Sequence, residues 1–248
     1  MFTGIITGLG RIVAVQSLGS TALYGSRLTI QAPAGYLDDV NAGDSISLNG
    51  ACMTAAQLDV AHSQFVVDVS AESLARTNGL AGTGTINLEK AIRAQDRLGG
   101  HLVSGHVDGV GEVTHFAQVG ESWELRIEAP SDLAKYLAYK GSITVDGVSL
   151  TVNRVTDQPA AMGAGGSAAV EISINLIPHT VQNTALGQLA KGSRVNLEID
   201  MIARYVERML QSTLPQTGLL SVHAIAATTT APATAAAATA SAQAAAPS

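Results

Sequence analysis

The chain has 248 residues, 14 Lys and Arg against 20 Asp and Glu, and a formal net charge of −6. That length allows one large domain or two of about 100 residues each, and 46 % apolar with 14 % charged residues describes a chain that buries a core rather than a disordered one. The acidic balance excludes nucleic acid as the main partner, the single Cys52 excludes an intrachain disulfide and a cysteine-built zinc or iron–sulfur site, and no apolar run reaches the ~18 residues of a membrane helix.

The first basic residue is Arg11, so no basic segment precedes an apolar one, and a cytoplasmic protein without membrane contact is expected. Ser45–Leu48, Thr54–Val60, Gln64–Val69 and Thr85–Leu88 read as short strands, with alternating or β-branched character between Gly, Asn and Asp turns. Asn49-Gly50 and Asp146-Gly147 are hairpin-turn dipeptides. A short helix is predicted near Glu72 and another near His179. Pro159–Ala169, rich in Gly and Ala, reads as a long hairpin loop. Ile202, Tyr205, Val206, Met209 and Leu210 follow i, i+3, i+4, i+7, i+8 spacing, with Arg204, Glu207 and Arg208 opposite and Asp200 as N-cap. This helix buries its stripe either on a barrel or on copies of itself. From His223 to Ser248 the chain is almost entirely Ala, Thr, Ser and Pro, and a disordered extension is expected.

The chain repeats itself. Thr3–Ile12 lies over Ser104–Val113 at an offset of 101, Ser45–Thr54 over Ser142–Thr151 at 97, and Ile86–Glu89 over Val195–Glu198 at 109. Three blocks in one order, with drifting offsets, indicate a duplication with loop insertions. The fold class is therefore all-β: two similar small barrels, then a helix.

Some motifs invite chemistry. Gly8-x-Gly10 and Gly109-x-Gly111 are each followed by β-branched residues rather than a helix, so they mark barrel bends and not a nucleotide loop. His101 and His106 are five residues apart, on opposite faces of a strand, with no third ligand, which argues against a metal site. Cys52 and Ser149 hold the same place in the two repeats, each followed by an apolar residue and Thr. A position chosen only for packing would hold Val or Ala more often. Two small polar groups after tight turns suit the rim of a ligand pocket in each half.

Met1-Phe2-Thr3-Gly4-Ile5-Ile6, Gly99–Gly109, Asp146–Val152 and Leu176-Ile177-Pro178-His179-Thr180 resemble the riboflavin synthase family of the alpha-chain type, over about residues 1–211. The resemblance implies two six-stranded Greek-key barrels with boundaries at 1–100 and 101–200, an oligomerisation helix at 201–214 that makes a homotrimer, and a tail at 215–248. It implies dismutation of two molecules of 6,7-dimethyl-8-ribityllumazine to riboflavin and 5-amino-6-(ribitylamino)uracil, without metal or organic cofactor, at a site between one subunit's first barrel and its neighbour's second. It also implies an association with lumazine synthase. By the same resemblance Gly4, Ile5 and Ile6, with His101, Gly105, His106 and Val107, line the second-barrel pocket, completed by Lys140, Ser149, Leu150, Thr151, Leu176, Ile177, Pro178, His179, Thr180 and Val181. Ser45, Cys52, Met53, Thr54, Asp68, Val69, Ser70, Ala71, Glu72 and Ser73 form the other. His106 is the proton-transfer candidate, Cys52 and Ser149 polarise or add to the ring, and Asp200 is either catalytic or only an N-cap. The chain departs from the family at Ala51, where many members carry a second Cys, at Met53, where Leu is usual, and at His179, where an acidic residue is common. The rival expectation is an antenna protein that binds lumazine or flavin without turning it over. Such proteins usually degrade the second repeat's ligand motif, which is intact here.

Overall fold

The computed structural model describes residues 1–158 and 169–213. The chain divides into Met1–Arg208 and Met209–Ser248; in the second part the described residues, 209–213, are helical. Of the predicted loop Pro159–Ala169, residues 159–168 lie outside the described residues, as does the predicted tail, and Ala169 opens a strand.

The first half forms strands β1 (Gly8–Ser17), β2 (Ser26–Gln31), β3 (Ser45–Leu48), β4 (Ala51–Thr54), β5 (Gln57–Asp59), β6 (Gln64–Val69) and β7 (Gly84–Lys90), in the sheet order β4-β3-β7-β1-β2-β6-β5. The second half forms β8 (Gly109–Val119), β9 (Ser122–Pro130), β10 (Ser142–Val145), β11 (Val148–Gln158), β12 (Ala169–Leu176) and β13 (Arg194–Ile199), which close as β10-β11-β12-β9-β8-β13. Every pairing is antiparallel. Helices α1 (Ala71–Arg76) and α2 (Pro178–Asn183) follow β6 and β12, and α3 (Met201–Thr213) follows β13.

The first half shows seven strands where six were expected. The counterpart of β11 is broken at Ala55-Ala56, across the predicted strand Thr54–Val60. Both backbone groups of Ala55 bond to the preceding loop, its N to Asp44 O and its O from Gly43 N, each at 2.8 Å. Val152 does the same in the second half, with its N on Gly141 O and its O taking Lys140 N. There the strand absorbs the bend as a register shift and stays continuous. Since β4 and β5 are the two ends of the first sheet and consecutive in the chain, that sheet is barrel-like too. Register shifts also match between the repeats, at Ile12/Ala14 and Val113/His115.

Each half has its own core of mainly aliphatic side chains, with Phe65 and Tyr36 the large aromatic members of the first. The strand glycines serve close packing: a Cβ on Gly10 would stand 2.5 Å from Leu88, and one on Gly111 2.6 Å from Ile127. The two halves meet at their hairpin turns. Asn49-Gly50 and Asp146-Gly147 take positive φ at both residues, as type I′ turns require. The Asn87 and Asn196 side chains then cross over, Asn87 Nδ2 donating to Asp146 O and Asn196 Nδ2 to Asn49 O, both at 2.9 Å. No helix among the described residues is long and apolar enough to cross a membrane.

Candidate functional site

Two short arms lie side by side ahead of the barrels. Phe2 and Val103 pair as an antiparallel bridge, with N–O distances of 2.8 and 3.1 Å. Each arm ends on a buried glutamate of its own half. Glu89 accepts from Thr3 N and Thr3 Oγ1 at 2.7 Å and from Gly4 N at 3.0 Å. Glu198 accepts from Ser104 N at 2.7 Å, Ser104 Oγ at 2.6 Å, Gly105 N at 3.0 Å and His106 N at 3.1 Å. Burial pushes both carboxyls above the usual range, and these donors act against it.

From there the arms cross. Gly4 O accepts Ser149 N of the second half, and Gly105 O accepts Cys52 N of the first, each at 2.8 Å. Ile6 packs on the second core and Val107 on the first. Gly4 and Gly105 have φ of +76° and +80°, and a Cβ on either would stand 2.6 Å from the Cβ of Ser149 or Cys52. Only glycine permits both that backbone and that approach.

The Cys52 crossing opens into a pocket of about 210 Å³, walled by Cys52, Met53, Gly105, His106, Val107 and, along α1 and its C-cap, Glu72, Ser73, Arg76 and Thr77. Ser70 caps α1 by accepting Ser73 N at 3.0 Å. At the other crossing, Gly4, Gly100 and His101 gather on Ser149. His101 Nδ1 lies 2.7 Å from Ser149 Oγ, and His101 Nε2 is buried with no hydrogen-bond partner among the described residues. Burial holds the His101 imidazole below its ordinary range, against the charge of Asp200.

The lumazine binding domain family matches this chain twice, over residues 3–91 and 104–200. The riboflavin synthase of Photobacterium phosphoreum is 41 % identical over 218 residues, covering 87 % of this chain and 92 % of that one. Those of Mycobacterium tuberculosis H37Rv and Bacillus subtilis 168 are 43 % and 40 % identical over 215 and 212 residues, covering 86 % and 85 % of this chain and 99 % and 90 % of theirs. The chain belongs to the riboflavin synthase family. It is thus an enzyme, and its halves are lumazine-binding domains. The solved structure of LumP complexed with 6,7-dimethyl-8-(1'-D-ribityl) lumazine superposes with a TM-score of 0.64 at 25 % identity, covering 80 % of this chain and 98 % of that one. LumP complexed with riboflavin gives 0.65 at 24 % identity over 80 % and 99 %, a likeness of fold.

Against the riboflavin synthase expectation, the structure regroups the arms. Gly105, His106 and Val107 stand with Cys52, not with Gly4, Ile5 and Ile6 beside Ser149, because the two arms exchange barrels. His101 and His106 therefore fall at different crossings. Ser45 lies outside the Cys52 pocket, although it pairs with Thr54 in the β3–β4 hairpin. It lines a larger cavity of about 680 Å³ with Thr3, Ile5, Lys90, Arg93 and Arg97. Val69 and Leu176 are core residues. The Asp68 carboxylate accepts two hydrogen bonds from Arg27, which hold it below the usual range. Ala71 is half-buried at the start of α1.

On the second half, Leu150 and Val181 are half-buried against the core, and Thr151 pairs with Ser142. Lys140 bonds Asn153 Oδ1 at 2.8 Å. Ile177 and His179 are exposed around Pro178, which opens α2, and Thr180 O accepts Thr184 Oγ1. Asp200 accepts Ile202 N at 3.0 Å, the N-cap bond the sequence suggested. Among the described residues no group of three or more His, Cys, Asp or Glu is arranged for a metal. The glutamate clamps were not foreseen, although Asn-Leu-Glu recurs at the same place in both repeats. A glutamate next to last in both strands, each facing its own half's arm in the repeat, was the available signal.

Proposed function

We propose that the chain dismutates two molecules of 6,7-dimethyl-8-ribityllumazine, passing a four-carbon unit from one to the other to give riboflavin and 5-amino-6-(ribitylamino)uracil. The observation that carries this reading is the pair of equivalent crossings. One chain holds two related sites, at Cys52 and Ser149, as a reaction between two copies of one substrate requires.

The substrate supplies its own electron sink, since the anion at its C7 methyl delocalises into the electron-poor ring. The protein has to orient two rings, accept a proton and polarise the acceptor ring. Holding reactants in register contributes on the order of 7–11 kcal/mol in the best intramolecular cases. His106, exposed in the Cys52 pocket, is placed to accept a proton from a ligand there. The Ser149 hydroxyl, held by His101, and the Cys52 thiol are placed to polarise or add to the rings. The productive site joins the Cys52 pocket of one subunit to the Ser149 crossing of the next, in a trimer built on α3. Its stripe residues Ile202, Tyr205 and Val206 are 59 %, 63 % and 44 % exposed in the single chain.

The test uses dialysed, EDTA-treated protein and the lumazine alone. One riboflavin should form for every two lumazines consumed. A requirement for added metal or nucleotide overturns the cofactor-free reaction, and tight binding without riboflavin makes the chain a binding protein of the antenna type.

A further inference from the structure

Glu89 and Glu198 sit at the same place in the two repeats, 4 % and 2 % exposed. A carboxylate so deeply buried is costly unless its oxygens are satisfied. Here three donors converge on Glu89 and four on Glu198, and all of them come from the arms. The arms then cross. Glu198 stands on the second barrel, yet the segment it grips closes over Cys52 of the first. Glu89 stands on the first, and its segment closes over Ser149 of the second.

We propose that Glu198 and Glu89 are positioning residues, each setting the pocket of the opposite barrel: Glu198 orients Gly105 and His106 at Cys52, and Glu89 orients Gly4 at Ser149. What the arms do in turnover rests on the dismutation reading; the clamp itself is a property of the ligand-free protein. Backbone amides donated to a charged acceptor make strong hydrogen bonds. A carboxamide at either site presents its own N–H groups to those donors and loses the grip. The consequence is directional. Loosening Glu198 frees the wall of the Cys52 pocket and leaves the Ser149 crossing in place, and loosening Glu89 does the reverse.

Cys52 is the only thiol and reports on its own crossing. Full-length wild type, Glu198→Gln and Glu89→Gln are reacted with 5,5′-dithiobis(2-nitrobenzoate) without ligand, and kcat and KM are measured for each. Glu198→Gln should speed the thiol reaction about ten-fold or more, while Glu89→Gln leaves it within about two-fold. Both should lower kcat more than they raise KM. Glu198→Asp, which keeps the charge but is one methylene short, should fall between Glu198→Gln and wild type in both measurements. If Glu198→Gln does not fold, Ser104→Ala removes one donor and should move the thiol rate the same way by a smaller factor. Equal thiol rates in wild type and both Gln variants, or equal acceleration by both, would reduce the glutamates to folding elements and overturn the proposal. Absence of riboflavin formation by wild type would overturn the dismutation reading while leaving the thiol comparison intact.

Discussion

His101 Nδ1 lies 2.7 Å from Ser149 Oγ, while Cys52, the counterpart of Ser149 in the first repeat, shares its pocket with His106. The two sites therefore match in backbone and differ in chemistry. A hydroxyl is a weak nucleophile and a weak polariser without a base, and Ser149 has an imidazole on it. A thiol is intrinsically more reactive, and the imidazole near Cys52 is exposed and available to a ligand instead.

This relationship predicts an ordered variant series. Asn at position 101 can place an amide group near the site of Nδ1 and keep a bond to Ser149, whereas Gln reaches toward the site of Nε2. His101→Asn should retain more turnover than His101→Gln, with the difference in kcat. One neutral hydrogen bond corresponds to about 0.5–1.5 kcal/mol, or about 2- to 12-fold. Cys52→Ala and Ser149→Ala should each slow turnover while the protein stays folded, and unequally, because donor and acceptor rings need different help. Steady-state kinetics with circular dichroism checks the series. Wild-type kcat in both alanine variants would return Cys52 and Ser149 to a packing role.

Gly105→Ala concerns the crossing itself. The added Cβ meets the Cys52 Cβ at 2.6 Å and Phe2 at 2.8 Å, on a backbone with φ of +80°. Strain of this kind costs about 1–3 kcal/mol before any displacement of the arm. Turnover should fall by at least about ten-fold, and thermal unfolding should move several degrees lower. Gly43→Ala is the control for strain alone, because its φ is +97° and no atom lies within 4 Å of the new Cβ. It should lose stability and keep kcat. Equal kcat losses in the two variants would mean that strain, not the crossing, sets activity.

Much of this was readable in the chain. The duplication showed because Thr3-Gly4 and Ser104-Gly105, and Asn-Leu-Glu at 87–89 and 196–198, recur in order, and the I′ turns showed because Asn-Gly and Asp-Gly are needed for positive φ. β6 was legible to the residue, since Gln64–Val69 alternates between turn signals. The exchange of arms was not. The resemblance set Gly4 beside Ser149, as the structure does, but pairing Gly105 with Cys52 rather than with that same site is a long-range choice, and no local propensity encodes which barrel an arm covers. The break in β4–β5 was missed for a similar reason: Ala55 leaves the strand to bond with Gly43 and Asp44, and alanine carries no sign of that.

Asp146 supplies a pH test. Its carboxyl is buried where the two halves meet and is pushed up to about 7 by desolvation, with the Asn196 N–H acting against the shift. An unfolded aspartate titrates near about 3.9, so between about pH 4 and 7 the folded chain holds more protons than the unfolded one. This group's contribution to stability therefore falls as pH rises through that window and is flat above it. Asn49 holds the equivalent turn position and accepts Asn87 N, so Asn fits the geometry. Asp146→Asn should be more stable than wild type at pH 8, by on the order of 2–4 kcal/mol, and nearly equal to it at pH 4. Glu89 and Glu198 contribute alike to both proteins, so the difference between their urea curves isolates Asp146. A difference independent of pH would mean that folding leaves the Asp146 carboxyl at its ordinary pKa and would overturn the desolvation reading.

The last prediction concerns α3. Its polar side is tied to the second half: Arg204 Nη2 reaches Asp108 Oδ1 at 2.6 Å, and Glu207 accepts from Lys135 and Tyr136. Its stripe residues Ile202, Tyr205 and Val206 face solvent in the single chain, which is how a helix looks when its apolar face is completed by copies of itself. If three such faces meet, the first barrel of one subunit comes against the second barrel of the next, and activity depends on association. Truncation after Leu214 removes mainly Ala, Thr, Ser and Pro and should leave mass and activity unchanged. Truncation after Asp200 should give smaller species with slow turnover, but it also removes the Arg204 and Glu207 ties. The cleaner variant is Ile202→Gln, Tyr205→Gln and Val206→Gln together, which keeps both ties and removes only the apolar face. Sedimentation should show it as a monomer that still binds the lumazine in each barrel, with turnover at least about ten-fold below wild type and rising with protein concentration. A monomer with wild-type turnover at all concentrations would place Cys52 and Ser149 in one chain's site and end the between-subunit assignment.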